Sequence, residues 1–260
     1  MIDVSQASDA RIYNFLLGGS DHYESDREAA RRLINLAPTA QQLAQASRQF
    51  LLRAVKYLAH EHRISQFLEH GVGLPTRDSA HQVARRANPA ARVVYIDNDP
   101  VVLAHARMML DEEHTLILDA DMLDGQGILT RSQEAGFLDL TQPVAALFVS
   151  ALHCISDERL PQRHVRQLMD SLPSGSCLVV CHWASNDTPF RDEASETMQQ
   201  LTADQWNQVR SCDEVDHFFE GLDPVGGPIG DVTHWRNGSQ LKRRTTDRTL
   251  IAYGGVGRKR

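Results

Sequence analysis

The feature that most constrains this chain is an alternation of short apolar runs with amphipathic segments, which begins at Ile64. Such alternation is typical of a parallel sheet covered by helices on both faces. Right-handed crossovers then bring the carboxyl ends of the strands to one edge, where ligands bind. The sequence thus predicts an α/β fold, with strands at residues 64–68, 92–96, 115–118, 143–149 and 176–182 and helices at 76–87, 100–112 and 157–172.

The segments on either side of this alternation have a different character. Residues 1–62 show only helical spacing, with predicted helices at 10–17, 21–36 and 39–60. We therefore expect an N-terminal helical cap, residues 1–62, packed on a main domain, residues 63–260. After Trp183 the pattern weakens, and it predicts a largely helical stretch at 189–209, a helix end leading into a strand at 218–222 and a final strand at 249–253.

Composition narrows the class of protein. The 260 residues are 42% hydrophobic and carry a net charge of -7, which argues against a dedicated nucleic-acid partner. The four cysteines form no Cys-x-x-Cys pair, so we predict no metal site and expect structural thiols in a reducing cytoplasm. No apolar run reaches membrane-span length, so no membrane association is expected, and the sequence leaves homodimerisation open.

A glycine loop follows the first predicted strand. Glu69 ends that strand, and Gly71 and Gly73 allow the backbone to turn sharply and approach a ligand closely. A dinucleotide fingerprint would place glycine or alanine where this loop, after Pro75, has Thr76. The loop therefore favours a ligand without a pyrophosphate, although a nicotinamide-dependent oxidoreductase stays an alternative.

Acidic residues also end the next two strands. Asp97 can accept hydrogen bonds from both hydroxyls of a ribose, whereas Asp99 before Pro100 has the features of a helix cap. Asp121 can accept from an exocyclic amine such as that of adenine, and Met122 can pack on a purine. Three acidic groups at one sheet edge predict a site for a nucleoside-containing cofactor.

These residues resemble an actinobacterial family of S-adenosyl-L-methionine-dependent methyltransferases that was first catalogued as a domain of unknown function. The similarity runs nearly from end to end and rests on residues 11–21, 69–76, 93–102, 152–157, 218–222 and 253–259. The resemblance implies a class I methyltransferase fold, a mostly parallel seven-stranded sheet that closes with an antiparallel strand. It also implies S-adenosyl-L-methionine as the cofactor and N-terminal helices that lie over it.

The resemblance and the strand-end argument together give a set of candidate site residues. The candidates for cofactor binding are Gly18, Gly19, Arg48, Glu69, Gly71, Gly73, Pro75, Thr76, Asp97, Asn98, Asp121, Met122, Ser150 and Ala151. His153, which follows the fourth strand, is the candidate general base, and Tyr13 is a second catalytic candidate. His153 could instead line the pocket without reacting.

We therefore expect a methyltransferase that acts on a small-molecule acceptor. An alternative is a protein that binds the cofactor without turnover, because Glu69 stands where the family usually has Asp and Asn14 where Asp is common. The sequence does not identify the acceptor, nor whether carbon, nitrogen or oxygen receives the methyl group.

Overall fold

A computed structural model describes residues 4–75, 78–109, 113–203, 205–206, 208–237 and 249–260. The helices are α1 (Asp9–Leu16), α2 (Glu24–Leu36), α3 (Ala40–Glu61), α4 (Ala80–Ala87), α5 (Pro100–Met109), α6 (Gly125–Glu134), α7 (Pro161–Ser171), α8 (Thr188–Thr202) and α9 (Cys212–Asp216). The strands are β1 (Gln66–His70), β2 (Arg92–Asp97), β3 (Thr115–Asp119), β4 (Ala145–Val149), β5 (Cys177–Ala184), β6 (Asp223–Pro224), β7 (Gly230–Asp231) and β8 (Ile251–Arg258). Short 3₁₀ helices lie at Leu152–Cys154, Asp157–Arg159 and His217–Phe219.

Within the described residues, one sheet contains eight strands in the order β3-β2-β1-β4-β5-β8-β6, and β7 also pairs with β8. The first five strands are parallel to one another, whereas β8 is antiparallel to β5, β6 and β7. β6 and β7 have two residues each and share the outer edge of β8, so the sheet has seven positions. This arrangement confirms the predicted mostly parallel α/β fold.

Side chains alternate between the two faces of the sheet, as a pleated strand requires. On one face Phe67, Tyr95 and Leu147 join a hydrophobic core with α3, α4 and α8. On the other face Leu68 and Phe148 pack with α6 and α7. Both faces of the central strands are therefore buried, which explains their continuous apolar sequences.

The N-terminal helices share a core with the sheet. Leu16 of α1, Leu33 of α2 and Phe50 of α3 lie in the same hydrophobic cluster as the strand residues Val93 and Val179. The long helix α3 also contacts α4, β4, β5 and β8. Residues 1–62 thus pack directly on one sheet face, and a domain boundary at residue 62 stays a prediction.

Several elements differ from the sequence expectation. Helix α6 was not predicted, because Gly125 and Gly127 weaken the helical pattern; Asp124 caps it by accepting from the Gly127 N–H at 3.0 Å. Strand β8 extends beyond the expected 249–253, since its glycines allow close packing on β5. A β-carbon added at Gly254 would lie 1.9 Å from the Val180 carbonyl oxygen.

The expected helix at 157–172 is divided in two. Leu160 has a positive φ of 50° between the 3₁₀ turn Asp157–Arg159 and α7, and Pro161 then starts α7. Among the described residues, no helix has both the length and the apolar composition needed to cross a lipid bilayer.

Candidate active site

A cavity of about 800 Å³ lies at the carboxyl ends of β1, β2 and β4, where parallel α/β sheets bind their ligands. The loop after β1 and the N-terminal segment form parts of its wall. Most of the candidate residues from the sequence line it, and these are Tyr13, Arg48, Glu69, Gly71, Gly73, Asp97, Asn98, Asp121, Met122, Ser150, Ala151 and His153.

Other candidates lie elsewhere. Gly18, Gly19 and Pro75 are described but do not line this cavity, and Thr76 lies outside the described residues. Gly18 has a φ of 80° just after α1, and its N–H donates to the Phe15 carbonyl at 2.9 Å. This geometry favours a helix-ending role for the Gly18–Gly19 pair. A role for the pair in cofactor binding stays a prediction.

The glycine loop turns through two left-handed residues. Gly71 has a φ of 69° and Gly73 a φ of 61°, values that residues other than glycine rarely adopt. A β-carbon at Gly71 would lie 2.8 Å from the Ala151 β-carbon, so the loops after β1 and β4 need glycine to pack together. A β-carbon at Gly73 would meet nothing within 4 Å, which leaves the backbone there open to a ligand.

Glu69 projects from β1 toward α3 and is buried. Its Oε1 lies 3.7 Å from Nη1 of Arg48, whereas its Oε2 has no hydrogen-bond partner among the described residues. Burial raises the pKa of Glu69 to about 7, and the Arg48 charge opposes that rise. A buried carboxylate oxygen without a donor is costly, so this site favours a ligand that supplies a donor or a cation.

Asp97 ends β2 beside the glycine loop. Its Oδ2 accepts from the Gly73 N–H at 3.1 Å, and its Oδ1 accepts from the Asp99 N–H at 3.0 Å. Burial raises the pKa of Asp97 to about 6, and those two hydrogen bonds lower it. Each oxygen keeps a further lone pair, so the carboxylate can still accept from a diol.

Asp121 follows β3 on the more exposed side of the cavity. Its Oδ1 accepts from the Leu123 N–H at 3.0 Å, and its Oδ2 pairs with Nη2 of Arg159. The methyl carbon of Met122 lies near Gly71, 3.4 Å from where a β-carbon of that residue would stand. An apolar side chain therefore lies next to a carboxylate, as a purine with an exocyclic amine would require.

His153 and Tyr13 form a different part of the wall. The His153 ring stacks on Trp206 with the centroids 4.4 Å apart, and burial and the Arg210 charge lower its pKa to about 3. The Tyr13 hydroxyl donates to the Ala44 carbonyl at 3.1 Å, and burial raises its pKa to about 12. Near neutral pH both rings are uncharged and can accept hydrogen bonds.

A fully buried arginine holds the segment that carries His153. Arg210 donates from Nη1 to the Leu152 carbonyl and from Nη2 to the Ile155 carbonyl, both at 2.8 Å, and its Nη2 lies 2.7 Å from Oδ1 of Asp157. Its Nη1 also donates to Nε2 of His182 at 2.9 Å. His182 therefore carries its proton on Nδ1, which lies 2.7 Å from the Trp183 carbonyl oxygen.

Sequence reasoning missed several wall residues. Ser8 and Asp9 come from the N-terminal segment, Arg159 from the 3₁₀ turn before α7, and Trp206 from the stretch after α8. None of them follows a strand, so strand-end reasoning could not reach them. The signal that could have pointed to this wall is Trp206, a large aromatic residue in a stretch with little hydrophobic pattern.

The hydrogen-bonding groups of the cavity wall fit S-adenosylmethionine, which carries an ammonium, a ribose diol and an adenine. Glu69 offers an unpartnered buried carboxylate oxygen, Asp97 offers acceptors for a diol, and Gly73 opens onto free space. Asp121 and Met122 offer a carboxylate and an apolar surface, which suit an adenine. The cavity thus has the features of a nucleoside-cofactor site on an α/β sheet with a final antiparallel strand, the arrangement of class I methyltransferases.

Comparisons with known proteins agree with this class. A family model described as S-adenosyl methyltransferase matches residues 1–260, and the chain belongs to this family. No protein with a curated annotation matches the sequence. The cofactor of the family is S-adenosylmethionine, and the family relationship does not support the nicotinamide-dependent alternative.

Solved structures show the same fold. A candidate methyltransferase from Thermobifida fusca YX is 32% identical with a TM-score of 0.90, over 99% of this chain and 96% of that chain. A DUF574 family protein from Streptomyces avermitilis MA-4680 is 34% identical with a TM-score of 0.88, over the full length of both chains. The plantazolicin methyltransferase BpumL, solved with a triazolic desmethylPZN analog and SAH, is 11% identical with a TM-score of 0.53 over 96% of each chain and shares the fold.

Proposed function

We propose that this chain catalyses methyl transfer from S-adenosylmethionine to a small-molecule acceptor. One observation carries the proposal: a single cavity joins a wall of strand-end carboxylates to a wall formed by Tyr13, His153 and Trp206. Its volume of about 800 Å³ falls within the range of small-molecule sites. The cavity therefore has room for the cofactor and for an acceptor beside it.

In this proposal the carboxylates hold different parts of the cofactor. Glu69 binds the ammonium of the methionine part of the cofactor, and Arg48 pairs with the carboxylate of that same part. Asp97 accepts from the ribose hydroxyls. Asp121 accepts from the adenine amine, and Met122 packs on the ring. Backbone and side chains of Asn98, Ser150 and Ala151 complete the wall around the nucleoside.

When bound, the cofactor supplies an electrophilic methyl group on a sulfonium, and the electron pair of the broken C–S bond stays on sulfur. The protein positions the reacting groups and excludes water from them. The loops after β1 and β4 pack closely, and Ser150 holds a left-handed φ of 56° between β4 and Ala151. This strained residue lies on the cavity wall, where such strain often marks a functional site.

His153 and Tyr13 orient the acceptor in this proposal. An imidazole with a pKa of about 3 is a weak base but a good neutral hydrogen-bond acceptor. The Tyr13 hydroxyl, whose proton is donated to the Ala44 carbonyl, keeps lone pairs for a donor on the acceptor molecule. Such a wall suits an acceptor that reaches the methyl group already deprotonated or that is nucleophilic when neutral.

The weak basicity of His153 also favours a second candidate function, binding of the cofactor without turnover. In that case the chain would sense or store S-adenosylmethionine. Both functions require the same cofactor contacts, so binding alone does not separate them. Turnover of any acceptor excludes the second candidate.

The test has two stages. Calorimetry with S-adenosylmethionine and S-adenosylhomocysteine measures binding to the folded chain, and failure of both to bind contradicts both candidate functions. Incubation with a whole-cell extract and methyl-labelled cofactor then detects transfer by mass spectrometry. Label in a low-mass product supports the proposed enzyme, whereas label only in macromolecules contradicts the small-molecule acceptor.

The proposal includes a cytoplasmic enzyme. The four cysteines are free thiols, and three of them are buried, as is common in a reducing compartment. We also propose a homodimer as the oligomeric state to test. Sedimentation with and without S-adenosylhomocysteine measures it directly.

A further inference from the structure

Residues 4–9 lead into α1 and include its first residue, and we call them the N-terminal strap. One side of the strap is tied to α2. The Ser8 N–H donates to Oδ1 of Asp26 at 3.0 Å, and the Ser25 hydroxyl donates to the Val4 carbonyl at 2.8 Å. Arg11 pairs with Oδ2 of the same buried Asp26 at 2.8 Å, so a buried ion pair fixes the point where the strap meets α1.

The other side of the strap reaches the sheet edge and α8. The Ser8 hydroxyl lies 3.4 Å from Oδ2 of Asp99, just beyond β2. The Gln6 side chain donates to the Leu201 carbonyl at 3.2 Å. The strap therefore spans from α2 to Asp99 in the loop after β2, and its residues 6–9 line the cavity.

Asp9 is the strap's acidic residue on the cavity wall, and in the described residues a thiol is the donor that reaches its carboxylate from outside α1. The Cys154 thiol donates to Oδ2 of Asp9 at 3.1 Å, and a thiol is a weak donor. Burial raises the pKa of Asp9, and the nearby charge of Asp99 raises it further. Asp9, Asp97 and Asp99 all line the cavity, and the Ser8 hydroxyl beside Asp9 lies 3.4 Å from Asp99, so the three carboxylates share one corner. The Asp9 charge in turn raises the pKa of Asp97.

Asp99 does not need a further donor. Its Oδ1 accepts from the Val101 N–H at 2.7 Å as a helix cap, and its Oδ2 lies near the Ser8 hydroxyl. Asp97 accepts from two backbone N–H groups, whereas Asp9 accepts from backbone N–H groups at the start of its own helix and from the Cys154 thiol. Among the described residues, the donor that reaches Asp9 from outside α1 is thus a weak one, and a ligand that donates a stronger hydrogen bond would stabilise this carboxylate.

We propose that Asp9 is a second cofactor-binding carboxylate, which accepts a hydrogen bond from the ribose opposite Asp97 and so closes the strap over the nucleoside. The inference rests on the proposed function, because it requires that the cofactor occupies this cavity. A ribose diol has two hydroxyl donors, one for each carboxylate. Neutral donors satisfy both groups without adding charge to the corner.

The test compares Asp9→Ala with Asp170→Ala, which removes an exposed carboxylate from α7 away from the cavity. Calorimetry with S-adenosylhomocysteine is expected to show a loss of about tenfold for Asp9→Ala and none for the control. Unchanged affinity in Asp9→Ala overturns the role of Asp9 and leaves the proposed function standing. No binding by the wild type overturns both.

A ligand pair locates the contact. Adenosine is expected to bind the wild type more tightly than 2′,3′-dideoxyadenosine, and Asp9→Ala should reduce that preference. An undiminished preference would mean that Asp9 does not contact the ribose.

Hydrogen exchange on the wild type keeps the inference testable if Asp9→Ala does not fold. Amides of residues 4–12 should exchange more slowly when S-adenosylhomocysteine is added, because the ligand holds the strap closed. Residues 130–134 at the end of α6 serve as the internal reference. Unchanged exchange in the strap, with bound ligand, overturns the closure.

Discussion

A single carboxylate at the end of β2 connects the glycine loop to the cavity. Asp97 accepts from the Gly73 N–H, so it orders the loop and keeps lone pairs for a ligand. Replacing it with alanine should weaken S-adenosylhomocysteine binding by about 1.5–3 kcal/mol, the range for hydrogen bonds to a charged group. Calorimetry measures the change, and Asp119→Ala is the matched control, because Asp119 ends β3 but does not line the cavity. Equal losses in both variants would contradict a specific role for Asp97.

The pKa of Glu69 gives cofactor binding a predictable pH dependence. Because burial raises this pKa to about 7, the folded chain without ligand holds a proton there at pH 6 that the unfolded chain has lost. This group therefore lowers stability as the pH rises from about 4.5 through about 7. Binding of an ammonium favours the ionised carboxylate, so the cofactor should bind more tightly at pH 8 than at pH 6 and release a proton.

Calorimetry at both pH values, in buffers with different ionisation enthalpies, counts that proton. Glu69→Gln should bind more weakly, with a flatter pH profile and less proton release. Asp97, with a pKa of about 6, would add a dependence centred at lower pH. A profile unchanged by Glu69→Gln would assign the proton to another group.

The sequence could locate some site residues and not others for a geometric reason. Asp97 and Asp121 follow strands, and parallel strands place their carboxyl ends together, so spacing along the chain was enough to group them. Asp9 reaches the cavity from the start of α1, and Trp206 reaches it from the stretch between α8 and α9. Their positions depend on how α1 and α8 pack, and local sequence carries no record of that packing.

At the scale of an element, Gly73 of the glycine loop matters less for stability than for the approach of a ligand. An alanine at position 73 costs about 1 kcal/mol for its left-handed φ, but it meets no neighbour and projects into open space. Gly73→Ala should therefore lose little stability and much of its affinity for S-adenosylhomocysteine. Urea unfolding and calorimetry measure the two effects.

Gly136→Ala is the matched control for that substitution. Gly136 also has a positive φ, 72°, and a β-carbon there would meet nothing within 4 Å. It follows α6 and does not line the cavity. Both variants should lose similar stability, and full affinity in Gly73→Ala would show that the ligand does not approach the loop backbone.

The segment Leu152–Asp157 depends on one buried arginine for its shape. Arg210→Met would leave the Leu152 and Ile155 carbonyls without that donor, and each unsatisfied group costs about 1–3 kcal/mol. We expect unfolding free energy to fall by about 2 kcal/mol or more in urea denaturation. Arg163→Met, on the exposed side of α7, should change it by less than about 0.5 kcal/mol. Similar losses in the two variants would contradict the role of Arg210 in holding the Leu152–Asp157 segment.

Hydrophobic periodicity predicted the elements that bury an apolar face, which include the first five strands and α1–α3. It missed α6 and shortened β8, because glycine there serves close packing and weakens the local pattern. Gly125 packs against Leu168, and Gly254 against the Val180 backbone. In both elements tertiary contacts outweigh local propensity, so a single sequence cannot reveal them.

At the scale of the whole molecule, the N-terminal helices and the sheet are parts of one structure. α1–α3 pack on the sheet face that carries Tyr95 and Glu69, and α3 supplies the Arg48 that meets Glu69. The strap then continues from α1 along the cavity wall. In the proposed site, cofactor binding at the sheet edge is therefore linked to the packing of helices far from it in sequence.

This linkage predicts one cooperative transition that the cofactor shifts as a unit. A ligand that binds only the folded chain, at a hundred times its Kd, stabilises it by about 2.7 kcal/mol. For a chain of this size S-adenosylhomocysteine should then raise Tm by about 5–10 °C. Far-ultraviolet dichroism reports helix and sheet together, whereas tryptophan fluorescence reports Trp235 against α3 and Trp206 at the cavity.

Both signals should move by the same amount, because the helices and the sheet share one hydrophobic core. Asp97→Ala should reduce the shift in both signals at the same ligand concentration, since the shift depends on the ratio of ligand to Kd. A shift in fluorescence alone, with dichroism unchanged, would mean that the ligand stabilises the cavity locally. That outcome would contradict a single cooperative transition of the helices and the sheet.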